Sequence, residues 1–338
     1  MKIDGGIESV DPRESGKAAK ELEDAGYDGG FIPETSHDPF LPLVTAALAT
    51  EKIDLYTSIA VAFARNPMTL ANLSYDLHLL SKGRFILGLG SQIKPHITKR
   101  FSMPWSSPAK RMQELIEAIR AIWDCWQNDS KLDFKGEFYT HTLMTPMFSP
   151  GPNPFGLPKI YVAAVGPLMT KAVAESADGL LVHPFHTPKY MNDVTLPIVN
   201  EALSSKGKDR SDFDLTISVM TATGINEESY EKAINACKNG ISFYASTPAY
   251  KGVLDAHGYG DLQGKLNLLS KEGKWKEMSA LIDDELLNTV AVVAETPEAA
   301  AKEIKLRYGD QGDRINPAFY SNEKGLASKF FKALKSTS

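Results

Sequence analysis

The sequence predicts an α/β protein whose parallel strands close into a (β/α)8 barrel. Three observations carry that expectation. Eight short apolar runs alternate with eight helical segments along the 338 residues, the pattern of a parallel sheet flanked by helices. Eight is also the strand count at which such a sheet closes on itself, and barrels with insertions reach this length as one unit. No linker composition and no short-period repeat splits the chain, so residues 1–338 read as one domain with insertions at about 129–157 and 244–288. The same alternation also allows a doubly wound open sheet.

Lys2 to Gly5 reads as a short first strand, and Asp11-Pro12-Arg13-Glu14 as the start of a helix with Asp11 as its cap. Tyr27 to Pro33 is the second strand, followed by a helix from about Pro39 to Thr50, and Ile53 to Ala60 is the third strand. Asn66-Pro67 caps a helix with Leu70, Leu73, Leu77 and Leu80 on one face and Gly83 as its stop. Arg84 to Gly90 is the fourth strand. Ser107-Pro108 opens a helix whose Met112, Leu115, Ile116, Ile119, Ile122, Trp123 and Trp126 recur at helical spacing. The excursion at 129–157 contains a hairpin candidate, FKGEFYTH. Lys159 to Val165, Asp178 to Val182 and Asp214 to Ala222 are the fifth, sixth and seventh strands, with helices after Pro167, over about 188–206 and over about 226–240. Thr289 to Ala294 reads as the eighth strand, Thr296-Pro297-Glu298 as a helix cap, and about 322–335 as a final helix.

A net charge of −5 and a pI near 5.9 argue against nucleic acid and anionic membranes as partners. No run approaches the roughly 20 apolar residues of a bilayer span. The start, MKIDGGIESVDPRE, lacks the apolar core of a signal peptide. Cys125 and Cys237 fall in separate helices with no metal-ligand spacing, as expected for two reduced thiols of a cytoplasmic protein.

A barrel carries its chemistry on the loops after the strands. Past the second strand, PETSHDPF holds Glu34, His37 and Asp38, an acid and an imidazole suited to acid–base work, although Asp38 directly before Pro39 reads first as a helix cap. GLGSQ, Gly88 to Gln92, lacks the third glycine of a dinucleotide fingerprint; its small residues give a flat ring room at the mouth or make a tight turn. AAVGP, Ala163 to Pro167, leaves free amides at a helix N-terminus, a phosphate site or an ordinary cap. His183 and His186 have no partner spacing for a metal. Arg65, Lys94, Lys99 and Arg100 could meet an anionic cofactor tail.

The segments TSIAVAFARNP, SKGRFILGLGSQ, RMQELIEAIRAIW and IYVAAVGP resemble the bacterial luciferase-like oxidoreductases, in consistent order over nearly the whole chain. PETSHDPFLP, GRFILGLGSQIKPHITKRFSMPW and FYTHTLMTP are similar to a subgroup described as probable F420-dependent oxidoreductases. The resemblance implies a barrel and a third-strand bulge with a cis peptide at Ser58-Ile59 behind the cofactor ring. It implies ring or side-chain contacts at Gly90, Ser91 and Gln92, and a phosphate at Ala164, Val165 and Gly166. Sugar-phosphate dehydrogenases of the group have an acid where Glu8 stands and Asp-His past the second strand; this chain has Glu34-Thr35 there, with His37 displaced. The expected activity is hydride transfer between coenzyme F420 and an organic substrate, with Glu34 or His37, then Glu8, as proton partner, Phe40 and Phe63 as walls, and a homodimer as assembly. An FMN-dependent monooxygenase and a non-catalytic flavin-binding protein are the rival readings.

Overall fold

The computed structural model describes residues 1–320 and 325–336. Eight parallel strands form the sheet: β1 (Lys2–Gly6), β2 (Gly29–Ile32), β3 (Asp54–Thr57), β4 (Phe85–Gly90), β5 (Lys159–Ala164), β6 (Gly179–Val182), β7 (Asp214–Ala222) and β8 (Arg314–Phe319). Each pairs in parallel with the next, and β8 pairs with both β7 and β1, so the sheet closes into a (β/α)8 barrel. The outer ring is α1 (Ser15–Ala25), α2 (Phe40–Ala49), α3 (Pro67–Leu80), α4 (Pro108–Asn128), α5 (Pro167–Ser176), α6 (Leu196–Ser205), α7 (Glu227–Ala245), α8 (Pro297–Tyr308) and α9 (Leu326–Ser336). Among the described residues no helix is long and apolar enough to cross a membrane.

Period-two alternation sorts each strand. Outward residues such as Leu55, Leu87, Leu89, Ile160, Val162, Leu215, Ile217 and Ile315 meet the helices in one large apolar cluster. Into that cluster α4 inserts every apolar position its periodicity marked, from Met112 to Trp126. Inward register partners run from Gly6 to Phe31, Tyr56 and Ile86. Tyr56, Ile86, Tyr161 and Leu181 make a small apolar plug inside the barrel. Below it the interior is ionic. Arg314 grips Asp4 through Nε (2.7 Å) and Nη2 (2.8 Å) and reaches Asp54 through Nη1 (2.7 Å), while Tyr56 donates to Asp4 (2.9 Å). Gly29 is obligatory beside this pair, because a Cβ there would lie 2.5 Å from both Arg314 and Asp4.

Two expectations change. The eighth strand is not Thr289–Ala294. Asp283 caps a helix over Asp284–Val290, and only Val292–Val293 is extended, paired with Thr221 and Ala222 at the tip of β7. The closing strand is RINPAF, whose inward positions carry Arg314 and Asn316 and therefore look unlike a strand. Asp11 does not cap α1 directly. Its carboxylate accepts the Arg13 amide (2.9 Å) and its carbonyl the Ser15 amide (2.9 Å), making a turn ahead of Ser15. The FKGEFYTH hairpin is present as Phe134–Lys135 against Thr140–His141. The insertion at 244–288 is helical, and its Leu266, Met278 and Leu286 pack with Cys237 and Ile241 of α7 in a second cluster. The final helix lies within α9, and residues 322–324 of its expected span fall outside the described residues.

Removing one partner of a buried ion pair strands the other charge. Arg314→Met should therefore lower the unfolding free energy in urea by about 3–5 kcal/mol, and adding Asp4→Asn should recover part of that loss.

Candidate active site

Strand β3 stops at Thr57, the Ser58–Ile59 peptide is cis, and the chain rejoins the sheet at Ala60–Val61 opposite Leu89 and Gly90. At the break the Thr57 hydroxyl donates to the Gly88 carbonyl (2.6 Å) and accepts from the Gly88 amide (3.0 Å). A Cβ at Gly88 would sit 1.7 Å from the Thr57 carbonyl oxygen, and one at Gly90 2.7 Å from Ile59. The glycines of GLGSQ thus make room for the bulge, where the sequence had suggested room for a ring.

Glu34 braces the same bulge. Its amide donates to the Ile59 carbonyl (3.1 Å), and its carboxylate accepts from the Val61 amide (2.7 Å) and from Arg65 (2.7 and 3.2 Å). Arg65 also holds Asp38 (2.8 Å), which accepts the Phe40 amide (2.9 Å) at the start of α2. The Glu34 side chain is 5% exposed, so its oxygens are committed to Arg65 and a backbone amide. Its place is beside the bulge, as a clamp. Phe40 and Phe63 are buried in the helix-facing core and do not wall the mouth. His37 and Glu8 stand on exposed loops. Ser91 and the left-handed Gln92 (φ 58°) turn the chain out of β4 into a wide-turn helix at His96–Arg100, where Arg100 donates to the Thr35 carbonyl (2.7 Å). Lys94 and Lys99 are exposed.

Above the apolar plug, inward positions become partly accessible and form a floor. Gly6, Phe31, Ile59 and Ala163 make one side, without polar side chains. Ala164, Val165 and Gly166 lead from this floor into α5, whose N-cap Gly166 provides no side-chain cap and has no atom within 4 Å of where a Cβ would be. The opposite side is polar; the sequence marked His183 there but not Ser218 or Asn316. Asn316 donates to Ser218 (3.1 Å) across β8 and β7, and His183 extends the inward row of β6. His183 stacks on Tyr250 (centroids 4.7 Å apart, planes at 29°) and meets the edge of Tyr244 (4.7 Å, 89°). Burial holds His183 far below its ordinary range, at about 3. His186 donates from Nδ1 to the His183 carbonyl (2.8 Å), and burial pushes it down to about 4. Both histidines are thus held neutral, His183 at the mouth and His186 buried against Tyr308 of α8, and among the described residues no set of three or more His, Cys, Asp or Glu side chains could hold a metal.

A profile of the family described as luciferase-like monooxygenase matches residues 3–314. The chain belongs to that family. Among luciferase-like relatives, an uncharacterized protein of Mycobacterium tuberculosis is 50% identical over 319 residues, 94% of this chain and 93% of that one. The 5,10-methylenetetrahydromethanopterin reductase of Archaeoglobus fulgidus is 27% identical over 293 residues, 84% and 83% of the two chains. The F420-dependent glucose-6-phosphate dehydrogenase of Intrasporangium calvum is 28% identical over 252 residues, 70% and 72%. Two solved structures share the fold: the coenzyme F420 dependent tetrahydromethanopterin reductase of Methanopyrus kandleri (TM-score 0.79, 18% identity, 98% and 96% covered) and, with FMN bound, the oxygenating constituent of 3,6-diketocamphane monooxygenase of Pseudomonas putida (0.67, 16%, 99% and 96%).

In this luciferase-like chain a recess of about 550 Å3 also opens between the N-termini of α7 and α8. Glu227, Glu231, Glu295 and Glu298 line it against a single Lys329, so its lining is net acidic.

His186 links the site to stability. The unfolded imidazole binds a proton below about 6.5, and the folded one only below about 4. The unfolded state therefore holds more protons in that window, and stability falls as pH drops through it. Urea midpoints should decline from pH 6.5 to pH 4, and His186→Gln should flatten that decline relative to the parent protein.

Proposed function

We propose that the protein is a coenzyme F420-dependent oxidoreductase acting on an uncharged organic substrate at the barrel mouth. The observation that carries the reading is the uncapped N-terminus of α5 opening onto a floor of Gly6, Phe31, Ile59 and Ala163. A planar ring with a phosphate-bearing side chain fits this arrangement: the ring lies on apolar atoms, and the phosphate meets first-turn amides at the positive end of a helix. Gly166 leaves those amides open because it offers no oxygen of its own.

The bound deazaflavin would accept or donate a hydride. The protein contributes the rest. The Glu34–Arg65 clamp and the Thr57–Gly88 link fix Ile59 at the floor. Gly90 and Gln92 aim the β4 turn past the ring position, and the helical insertion screens the β6 to β8 side from water. FMN carries the same kind of ring and phosphate. F420 is favoured because a relative aligned over 70% of this chain is F420-dependent by name.

Titrating the purified protein with F420 and with FMN tests this. Micromolar or tighter F420 binding is expected, with FMN at least about tenfold weaker, a gap of about 1.4 kcal/mol. The reverse preference would overturn the proposal in favour of an FMN-dependent monooxygenase, to be followed by oxygen uptake. Gly166→Asp separates ligand binding from folding. An Asp cap should keep or slightly raise the melting temperature, while its charge and its hold on the same amides cut F420 affinity by about tenfold or more.

A further inference from the structure

The insertion places a hydroxyl at the mouth whose hydrogen meets no acceptor among the described residues. The Phe185 amide donates to His183 Nδ1 (3.1 Å). An N–H only donates, so Nδ1 is bare, and in a neutral ring the proton sits on Nε2. Nε2 lies 3.4 Å from the Tyr250 oxygen. His183 is therefore the donor in that contact and Tyr250 the acceptor. No other hydrogen bond of the Tyr250 hydroxyl is present among the described residues, so its own hydrogen is free for water or for a ligand at the mouth. Buried or half-buried phenols ordinarily find a partner for it.

Its position fits a ligand at the mouth. Tyr250 is half-buried and rests on His183, the last inward residue of the β6 row. Two residues on, Gly252 packs against Tyr190, where a Cβ would come within 3.3 Å of the Tyr190 hydroxyl. That hydroxyl reaches the Val165 carbonyl (3.4 Å) at the open end of α5. The phenol thus stands between β6 and the terminus that would hold the cofactor phosphate.

The surroundings define what the hydroxyl can recognise. Tyr250, Tyr244, Phe185 and His183 form a continuous aromatic wall, with Tyr320 joined to Tyr244 through their hydroxyls (3.5 Å). The nearby cations are spoken for: Lys251 pairs with Asp255 (2.5 Å) and Lys189 with Asp193, while His257 is bonded to Thr187 (2.8 Å). A phosphate or carboxylate placed here would be desolvated without a counter-charge. A polyol would leave most of its hydroxyls unpaired. A flat, uncharged molecule with one acceptor oxygen loses little and gains both ring contact and a hydrogen bond.

We infer that Tyr250, held by His183, donates a hydrogen bond to the carbonyl oxygen of a planar, uncharged, conjugated ketone or aldehyde bound against the Tyr244–Tyr250 wall. Burial pushes the phenol up to about 12, which keeps it a donor at every working pH. The inference names a substrate class for the oxidoreductase site and rests on that reading only for what becomes of the carbonyl.

Benzylideneacetone is the probe, titrated into the full-length protein with and without saturating F420. Cinnamate, of the same skeleton but anionic, and glucose 6-phosphate are the comparisons. Binding and the carbonyl-carbon NMR shift are read together, since a wall that merely packs the insertion moves neither. Benzylideneacetone should bind more tightly than both anions, with a downfield carbonyl shift. Tyr250→Phe should keep the melting temperature, weaken binding about 3- to 10-fold, the range of one neutral hydrogen bond, and abolish the shift. His183→Phe, which keeps the stack and removes the Nε2 proton, should shrink the shift without abolishing it. Equal binding and shift in Tyr250→Phe, tighter binding of either anion, or no binding of benzylideneacetone would each overturn the inference. If F420 fails to bind while the Tyr250-dependent shift persists, the cofactor reading falls and the assignment of Tyr250 stands.

Discussion

The barrel depends on one guanidinium. Arg314 enters on the strand that closes the sheet, grips Asp4 on neighbouring β1 with two nitrogens and Asp54 on β3 with a third, and so ties the last strand to the first and the third. Asp4 is fully buried, and a carboxylate there persists only because Arg314 and Tyr56 satisfy it. The pair also occupies space. Gly29 has no side chain because the ion pair fills its volume, and the apolar plug of Tyr56, Ile86, Tyr161 and Leu181 sits directly above. With the lower interior filled by charge and the middle by the plug, the partly accessible apolar inward positions are those of the upper end. The location of the mouth is thus a packing consequence of what lies beneath it.

The mouth divides its labour by strand. On the β2 to β5 side, polar groups face away from the floor: Glu34, Arg65 and Asp38 clamp one another and the bulge, leaving glycine, alanine, phenylalanine and isoleucine beneath a ligand. On the β6 to β8 side, polar groups face in, through His183, Ser218 and Asn316. A ligand lying across both meets an apolar bed along one edge and directed hydrogen-bond donors along the other, which fixes its orientation as well as its place.

How far the sequence disclosed this varies by residue, for physical reasons. Helix α4 was legible because its apolar stripe repeats at 3.6 residues and all of it packs. The α5 terminus was legible because Gly-Pro marks a helix start without a side-chain cap. Strand β8 was not, because its inward row is Arg314 and Asn316 with Pro317 directly after, and hydropathy prefers TVAVVA, whose Thr289 and Val290 end a capped helix and whose Val292–Val293 alone is extended. Glu34 stood out as an acid at a strand tip, yet only coordinates show that its charge is consumed by Arg65, 31 residues away. Ser218 and Asn316 carry no mark at all, since an inward serine and an outward one look alike until the register is known. His183 was weighed as a metal ligand, whereas the partner that defines it, Tyr250, comes from a distant insertion.

That insertion packs Leu266, Met278 and Leu286 into an apolar cluster separate from the main core and shared with Cys237 and Ile241 of α7 and with Phe185, Tyr190 and Met220. A segment packed apart from the main core can open without unpairing a barrel strand, so its amides exchange through local openings of lower free energy than global unfolding. The same separation has an evolutionary side. On the proposed reading the strands and the α5 terminus would hold the cofactor and the insertion the substrate, with few residues serving both. Descendants of this fold can therefore trade one insertion for another, and change what they act upon, while the redox machinery beneath is inherited intact.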